Sequence, residues 1–347
     1  MDTPTAQTSF VIPCYNHEQY LEKSLGGVLN QSLNSAKIIF INDASTDNSL
    51  YIANQLLSQR PDTKIVSHTK NQGVIASLNE GLSYVDTPYV AFAATDDYLY
   101  PQFLEKSERA LQDMPTAALV TSCSHIMAVN DDIISSRPAF LPAFRSGYLA
   151  PQKVKKLLVE CDNFLLGNVT LYRTQHLRDI GGFDKALGSF CDGFAMRLLA
   201  LRYGFVFLKA VLGCWRSHTS NYSKSLMYQP RYAENMVEHV SSSIAHHKVE
   251  RYFPKNYNLL LLSRLKFGAA RMLLEDCGYT LKTENRSSNT ELLKMFGSLR
   301  SLTWLSTLPS RKLRTFLAYA LLYLKYKPYQ YKALLRLLRN GFSHFSE

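Results

Sequence analysis

Long apolar runs are scarce in this chain. The longest, residues 316–324, is nine residues, whereas a membrane span takes roughly 20, so contact with a bilayer is expected from one side at most. Cysteine is sparse and scattered (Cys14, Cys123, Cys161, Cys191, Cys214 and Cys277), with no C-x-x-C pair. That excludes a disulfide frame and a cysteine-based zinc site and leaves reduced thiols. The opening residues 1–9 are polar and run straight into a strand pattern. No signal-peptide signature precedes it, and a cytoplasmic location is expected. A G-x-G-x-x-G turn after the first strand is missing too. Pro13-Cys14-Tyr15-Asn16 cannot form one, which excludes a dehydrogenase of the dinucleotide-binding kind. Internal repeats and low-complexity tracts are absent.

What is present suits a folded enzyme. The 347 residues are 46% hydrophobic, 12% aromatic and 19% charged, enough to bury a sizeable core and too apolar for disorder. At a usual domain size of roughly 100–200 residues, the chain is two domains or one with an appendage. The net charge of +11 is unevenly spread. Residues 1–225 hold 20 basic and 20 acidic side chains; residues 226–347 hold 19 and 8. A neutral front and a basic back suggest chemistry in one part and attachment to something anionic in the other.

Over the first 125 residues, short apolar runs alternate with amphipathic stretches, the pattern of repeated βαβ units. Strands are expected at residues 9–13, 37–41, 63–67 and 88–94, the first ended by Pro13. Helices are expected after each, with Asn16 and Gln19 as a capping box for the first and residues 74–84 forming the third. Pro101 marks the start of a further helix. A helix at 151–160, a strand within 165–172 and a helix at 192–203 follow, while residues 131–150 give no clear pattern. After Tyr222 the helical pattern dominates. The expected division is residues 1–228 as a catalytic domain and 229–347 as a basic, mainly helical region. Each polar cluster of the first part falls at the C-terminal end of a strand, where open α/β sheets bind ligands.

Four clusters carry candidate chemistry. Asp96-Asp97 are adjacent carboxylates after an apolar strand, costly by self-repulsion unless a cation or hydrogen-bond donors meet them. They suit Mg2+ or Mn2+, or form a solvated turn. Asp43, within Asn42-Asp43-Ala44-Ser45-Thr46-Asp47, lies in a good capping sequence and can also accept an N–H from a nucleobase edge; Thr46 or Asp47 is the expected cap. Asp192 follows a glycine-bearing turn at a helix start and is either an N-cap or a general base. His218, in Trp215-Arg216-Ser217-His218, is either a hydrogen-bonded histidine or a metal or phosphate contact, and Arg216 beside it suits a diphosphate.

Together these clusters resemble the inverting family 2 glycosyltransferases of the GT-A fold. The matching segments, in order, begin with Phe10-Val11-Ile12-Pro13-Cys14-Tyr15-Asn16-His17 and residues 41–49. Asn71-Gln72-Gly73-Val74 and Ala94-Thr95-Asp96-Asp97 with Pro101 come next. Gly181-Gly182-Phe183-Asp184, Cys191-Asp192 and Trp215-Arg216-Ser217-His218 complete the series. The likeness covers about residues 8–223. It implies a Rossmann-like α/β GT-A domain with a mostly helical extension, and a nucleotide-sugar donor, usually a UDP-sugar. It also implies a divalent metal, Mn2+ or Mg2+, and a hydroxyl acceptor on a glycan or lipid-linked glycoconjugate such as a cell-surface polysaccharide.

By the same resemblance, Pro13, Cys14 and Tyr15 line base and ribose, Asp43 reads the base, and Asn71 lies near the nucleoside. Asp96 faces the ribose, Asp97 ligates the metal, and Asp192 is the catalytic base. His218 and Arg216 stand near the diphosphate, His218 as a second metal ligand. Three positions depart from the pattern: Ala94 where an acid is common, Asn42 in place of Asp, and Cys191 where Glu often precedes the catalytic Asp.

The basic end has a pattern of its own. Residues 312–326 and 332–342 are basic amphipathic segments crowded with tyrosine, suited to the inner face of an anionic membrane or to packing on the catalytic domain. Two other functions compete with the enzyme reading. One is a catalytically inactive nucleotide-sugar-binding scaffold. The other is a nucleic-acid-binding protein using the basic tail; no recognition motif accompanies the charge, so no nucleic-acid partner is expected.

Overall fold

The computed structural model describes residues 6–33, 37–138, 140–218, 221, 222, 226, 229, 231–276, 320 and 322–327. In chain order the elements are β1 Thr8–Cys14, α1 Glu18–Leu29, β2 Lys37–Asn42, α2 Ser49–Leu57, β3 Thr63–Ser67, α3 Val74–Ser83, β4 Tyr89–Phe92, β5 Tyr98–Leu99 and α4 Phe103–Asp113. There follow β6 Leu119–Met127, β7 Ile133–Arg137, β8 Gly147–Leu149, α5 Pro151–Glu160, β9 Thr170–Arg173, α6 Thr174–Asp179, α7 Cys191–Tyr203 and β10 Phe205–Arg216. Two further helices, here α8 Tyr232–His246 and α9 Tyr257–Asp276, complete the described elements.

The strands form one sheet in the order β3-β2-β1-β4-β9-β6-β10-β5, with β7 on β6 and β8 on β10. β3, β2, β1 and β4 are parallel, as the βαβ pattern requires. β9 is antiparallel to both β4 and β6 and joins this half to the parallel pair β6–β10. Alternate residues of β1 and β2 face opposite layers. Phe10, Ile12, Ile38 and Phe40 pack against Leu21 and Leu25 of α1, Leu57 of α2 and Leu104 of α4. Val11, Ile39 and Ile41 face the second core with Ile75 and Leu82 of α3, Leu157 of α5 and the apolar face of α7. Buried on both sides, these strands read as continuous apolar runs.

Helices α8 and α9 belong to that second core. Ala233, Met236, Val240, Ile244, Phe253, Tyr257, Leu261 and Leu265 are buried in one cluster with residues of β1, β2 and α7. A division at 228/229 therefore corresponds to no break in the core. Of the expected helix 312–326, residues 320 and 322–326 are described, and they are helical, with Leu322 buried. The expected helix 332–342 lies outside the described residues, as does Cys277. The other five cysteines are buried free thiols.

Local differences from the sequence reading have physical reasons. β1 continues through Pro13, which pairs with Ile41. On its other side the ladder to β4 ends at Val11–Phe92, so no partner there needs the N–H that proline lacks. The Asn16–Gln19 capping box does not form. Asn16 sits at φ 53° and its Oδ1 accepts the Thr46 N–H at 2.8 Å. The loops after β1 and β2 cap each other's helices instead. Asp47 accepts the Glu18 and Ser49 N–H groups, each at 3.0 Å, and Glu18 accepts the Asn48 N–H at 2.8 Å. Residues 131–150 contain the short strands β7 and β8. The expected strand at 165–172 begins only at Thr170, after a 3-10 turn, Gly167–Val169.

Candidate active site

Four strand ends and one helix start converge at the C-terminal edge of the parallel half. Cys14 ends β1 buried, its carbonyl accepting the Asp43 N–H at 2.8 Å, and burial raises its thiol pKa. Tyr15 beside it is 45% exposed and offers a ring to a ligand. The Pro13 carbonyl accepts the Thr95 hydroxyl at 3.4 Å, and Thr95 Oγ1 lies 2.6 Å from His17 Nδ1. The loop after β4 is thereby tied to the loop after β1.

Asp43, just beyond β2, is buried, and both its oxygens are engaged. Oδ1 accepts the Gln72 N–H at 2.8 Å and pairs with His68 Nδ1 at 2.7 Å; Oδ2 accepts the Gly73 N–H at 2.8 Å. Gly73 begins α3 at φ 90°, a conformation L side chains rarely adopt. Exposed Asn71 accepts the same Gly73 N–H through Oδ1 at 3.0 Å. Asp43 thus shapes the 68–73 loop; of its roughly four lone-pair directions, three are taken.

Asp96 and Asp97 follow β4. Asp97 is buried, and its Oδ1 accepts the backbone N–H of Arg216 at 2.9 Å. Burial, and then the charge of Asp96, hold its pKa well above the ordinary carboxylate value. For Asp96, burial works in the same upward direction but is outweighed. The hydrogen bond from His218 and the charges of His17 and His218 leave its pKa lowered. His218 Nε2 lies 2.9 Å from Asp96 Oδ2 and 2.9 Å from Asn221 Nδ2. Tyr20 stacks obliquely on His218, ring centroids 5.5 Å apart.

Two residues have partners that the sequence did not specify. His218 pairs with Asp96 and braces that carboxylate. Arg216 is buried with its guanidinium turned beneath the pair. Nε donates to the Asp96 carbonyl at 3.0 Å, and Nη1 donates to the carbonyls of Ala128 and Val129 and to Asp131 Oδ1 at 2.6 Å. Its backbone N–H thus holds Asp97, and its guanidinium pins the 128–131 loop.

Asp192 lies in the first turn of α7. Its Oδ1 accepts the Gly193 N–H at 2.6 Å. Burial raises its pKa, against the pull of that N–H and of the Arg197 and Arg137 charges. Cys191 before it is buried, and its thiol is pushed far up by burial, so no second negative charge stands beside the base candidate. Gly167 passes so close that a Cβ there would lie 2.2 Å from Asp192 Oδ2. The next residue, Asn168, borders a small cavity together with Asp97 and Ser24. Segment 167–168 therefore touches Asp192 through Gly167 and the cavity beside Asp97 through Asn168. The sequence reading assigns no role to His17, Tyr20, His68, Thr95, Arg137, Gly167, Asn168 or Asn221. Only Gly167 carried a usable signal, a lone glycine in a strand pattern marking close backbone approach.

Among the described residues no three His, Cys, Asp or Glu side chains converge as a ready-made metal set. The donor chemistry nonetheless fits a divalent cation. Adjacent carboxylates, one with its charge disfavoured by burial and by its neighbour, are the hard oxygens Mg2+ and Mn2+ take, and such ions usually complete their shell with water and substrate phosphates.

A mixed sheet whose parallel half ends in this carboxylate-lined edge defines a GT-A glycosyltransferase architecture. Residues 9–174 match the family model for glycosyl transferase family 2. An uncharacterized glycosyltransferase of Haemophilus influenzae is 36% identical over 98 residues, 28% of this chain and 39% of that protein. The chain thus spans well under half the length of the curated relatives it matches. Among solved structures, S. aureus TarS residues 1–349 in complex with UDP-GlcNAc superimposes with a TM-score of 0.58 at 15% identity, covering 93% of this chain and 92% of that one. A Pyrobaculum calidifontis mannosyltransferase in complex with GDP-Man and Mn2+ gives 0.55 at 16% identity, covering 98% and 88%. At these identities the likeness is one of fold, and it extends through α8 and α9.

Proposed function

We propose that the protein is a metal-dependent inverting glycosyltransferase, of the hexosyl or N-acetylhexosaminyl class. It moves a sugar from a nucleotide-sugar, a UDP-sugar in the first instance, to a hydroxyl of a cell-surface polysaccharide, lipid-linked or other glycoconjugate acceptor at the inner face of the membrane. The observation that carries the reading is that segment 167–168 links the two groups, with Asn168 on the cavity that Asp97 borders and Gly167 against Asp192. Carboxylates for the leaving diphosphate's cation and a base for the acceptor thus share one neighbourhood.

Pro13, Cys14 and Tyr15 form the wall for base and ribose. Asp43 holds the 68–73 loop and Asn71 at its tip, with one lone-pair direction left for a base N–H. Asp97, with Asp96 braced by His218, holds the cation, which when bound would neutralise charge on the departing diphosphate. Asp192 takes the proton of the acceptor hydroxyl as it attacks the anomeric carbon, and the sugar–phosphate bond breaks on the opposite face. One displacement inverts the centre through an oxocarbenium-like transition state, by analogy with inverting hydrolysis. A base whose pKa is raised by burial is better matched to neutral pH than an ordinary aspartate.

The test is a thermal-shift screen against UDP, GDP, CMP and dTDP and their common sugars, with and without Mn2+. It is followed by nucleotide release from whichever donor binds. One nucleotide class should give a Mn2+-dependent rise that Asp97→Asn abolishes. Asp192→Asn should keep the rise and lose about 10²–10⁴-fold in turnover. No shift with any nucleotide sinks the donor reading. Full turnover in Asp192→Asn sinks the assignment of the base.

A further inference from the structure

Helix α1 has two working faces. Leu21, Leu25 and Val28 form the apolar stripe that packs on β1 and β2. Beside it run Tyr20, Lys23, Ser24 and Gly27, at i, i+3, i+4 and i+7, the spacing that sets side chains in one row. Every member of this row meets either the 94–99 segment, which carries Asp96 and Asp97, or the groups that hold that pair. Ser24 Oγ donates to the Ala94 carbonyl at 2.9 Å and borders the cavity beside Asp97. A Cβ on Gly27 would lie 3.0 Å from the Leu99 main chain, so α1 and β5 are in close contact. Lys23 Nζ pairs with Asp131 Oδ2 at 2.8 Å, while Asp131 Oδ1 takes Arg216 Nη1 at 2.6 Å.

Tyr20 meets the two residues that grip the pair. The Arg216 guanidinium lies 4.7 Å from its ring centroid, a cation–π distance, and the His218 ring centroid lies 5.5 Å away. Arg216 donates its main-chain N–H to Asp97 Oδ1 at 2.9 Å and its Nε to the Asp96 carbonyl at 3.0 Å. His218 Nε2 lies 2.9 Å from Asp96 Oδ2. One half-buried ring thus backs the partners of both carboxylates. Adjacent carboxylates repel each other, so a pair that is to accept a cation needs supports that fix both members beforehand. Such supports, one step removed from the ligands, alter metal affinity by about 10–100-fold when lost.

We propose that Tyr20 is a positioning residue of the cation site: its ring fixes the Arg216 guanidinium and the His218 imidazole, and through them the placement of Asp97 and Asp96. This rests on the reading of that pair as the carboxylates for the cation. Pro13, Cys14 and Tyr15 lead straight into α1, so the wall for base and ribose and the carboxylate pair take their positions from one helix. A ring that only filled space would leave the pair's hold on a cation unchanged.

The test measures Mn2+ binding directly, with no nucleotide or acceptor. Full-length wild type, Asp97→Asn, Tyr20→Leu, Tyr20→Met and Tyr20→Phe are titrated with Mn2+, the free ion being followed by electron paramagnetic resonance. Circular dichroism establishes beforehand that each variant is folded. Wild type should show a site that Asp97→Asn removes. Tyr20→Leu and Tyr20→Met, which lack the ring, should bind Mn2+ there at least about tenfold more weakly. Tyr20→Phe keeps the ring and should bind as wild type does. Unchanged affinity in a folded ring-less variant overturns the proposal and leaves Tyr20 a packing residue. A Phe variant as weak as the ring-less ones overturns it too, because the ring is then not what holds the pair. Absence of any Asp97-dependent site in wild type is a separate failure: it sinks the cation reading itself, and the positioning role falls with it.

Discussion

Gly167 lies directly against the base candidate, Asp192. Its lack of a Cβ lets the 3-10 turn pass against Asp192; a methyl group there would overlap Oδ2 at 2.2 Å. A short carboxylate on a helix has few rotamers into which to retreat. Gly167→Ala should therefore displace Asp192, cutting turnover about 100-fold, the usual cost of an ångström-scale misplacement. Nucleotide-dependent thermal shifts should stay intact, because a Cβ at Gly167 meets Asp192 and neither Asp96 nor Asp97. Equal activity in the variant would show that Asp192 does not need its present position. The sequence made Asp43, Asp96, Asp97 and Asp192 visible as polar residues punctuating an apolar pattern. It did not show that His218 would turn to Asp96, or that Arg216 would point beneath the pair. The second depends on where the β6–β7 turn falls in space, since Arg216 bonds Ala128, Val129 and Asp131.

At the scale of the element, the 68–73 loop is held by a buried chain, Asp43–His68–Glu80. His68 Nε2 lies 2.7 Å from Glu80 Oε2, and the imidazole is 5% exposed. Burial alone would lower the imidazole pKa from 6.5; the bonds from Asp43 and Glu80 outweigh it and raise the value. Folded protein thus binds more protons here than unfolded chain does. The resulting stabilisation is fully present below the unfolded value near 6.5 and is lost as pH rises through the higher folded value. His68→Gln should cost about 1–3 kcal/mol at pH 6 and progressively less at pH 8–9. Urea unfolding of both proteins at the two pH values checks this; a difference that grows with pH refutes it. The strand-helix alternation was legible because apolar runs and amphipathic stretches have different periods. The mutual capping of α1 and α2 was not, because Asp47 serves a helix 29 residues away in sequence as well as its own.

For the whole molecule, the question is what the basic third does. Among the described residues no helix is long and apolar enough to cross a membrane. Part of the basic charge is spent internally: Arg264 on Asp162, and Lys266 on Glu234 at 2.7 Å. From Arg300 onward the sequence has nine basic residues and one acid, Glu347, and the proposed membrane contact is tested on these. The protein should sediment with phosphatidylglycerol vesicles at low salt and be released by about 0.5 M NaCl. At about 1 kcal/mol for each basic residue near the surface, a Lys332→Glu, Arg336→Glu, Arg339→Glu triple variant should bind at least tenfold more weakly. Equal binding to neutral phosphatidylcholine would refute the electrostatic contact.

By itself the sequence determined the α/β alternation, the buried parallel strands and the carboxylates at their ends. These follow from local periodicity and from the cost of placing charge beside apolar runs. Only the tertiary structure decided the antiparallel insertion of β9, the partners of His218 and Arg216, and the passage of Gly167 past Asp192. It also decided that α8 and α9 close the same core as α7. Each of these is a contact between residues far apart in the chain, fixed by sheet order and by the pairing of buried charges, and no window of neighbouring residues records it.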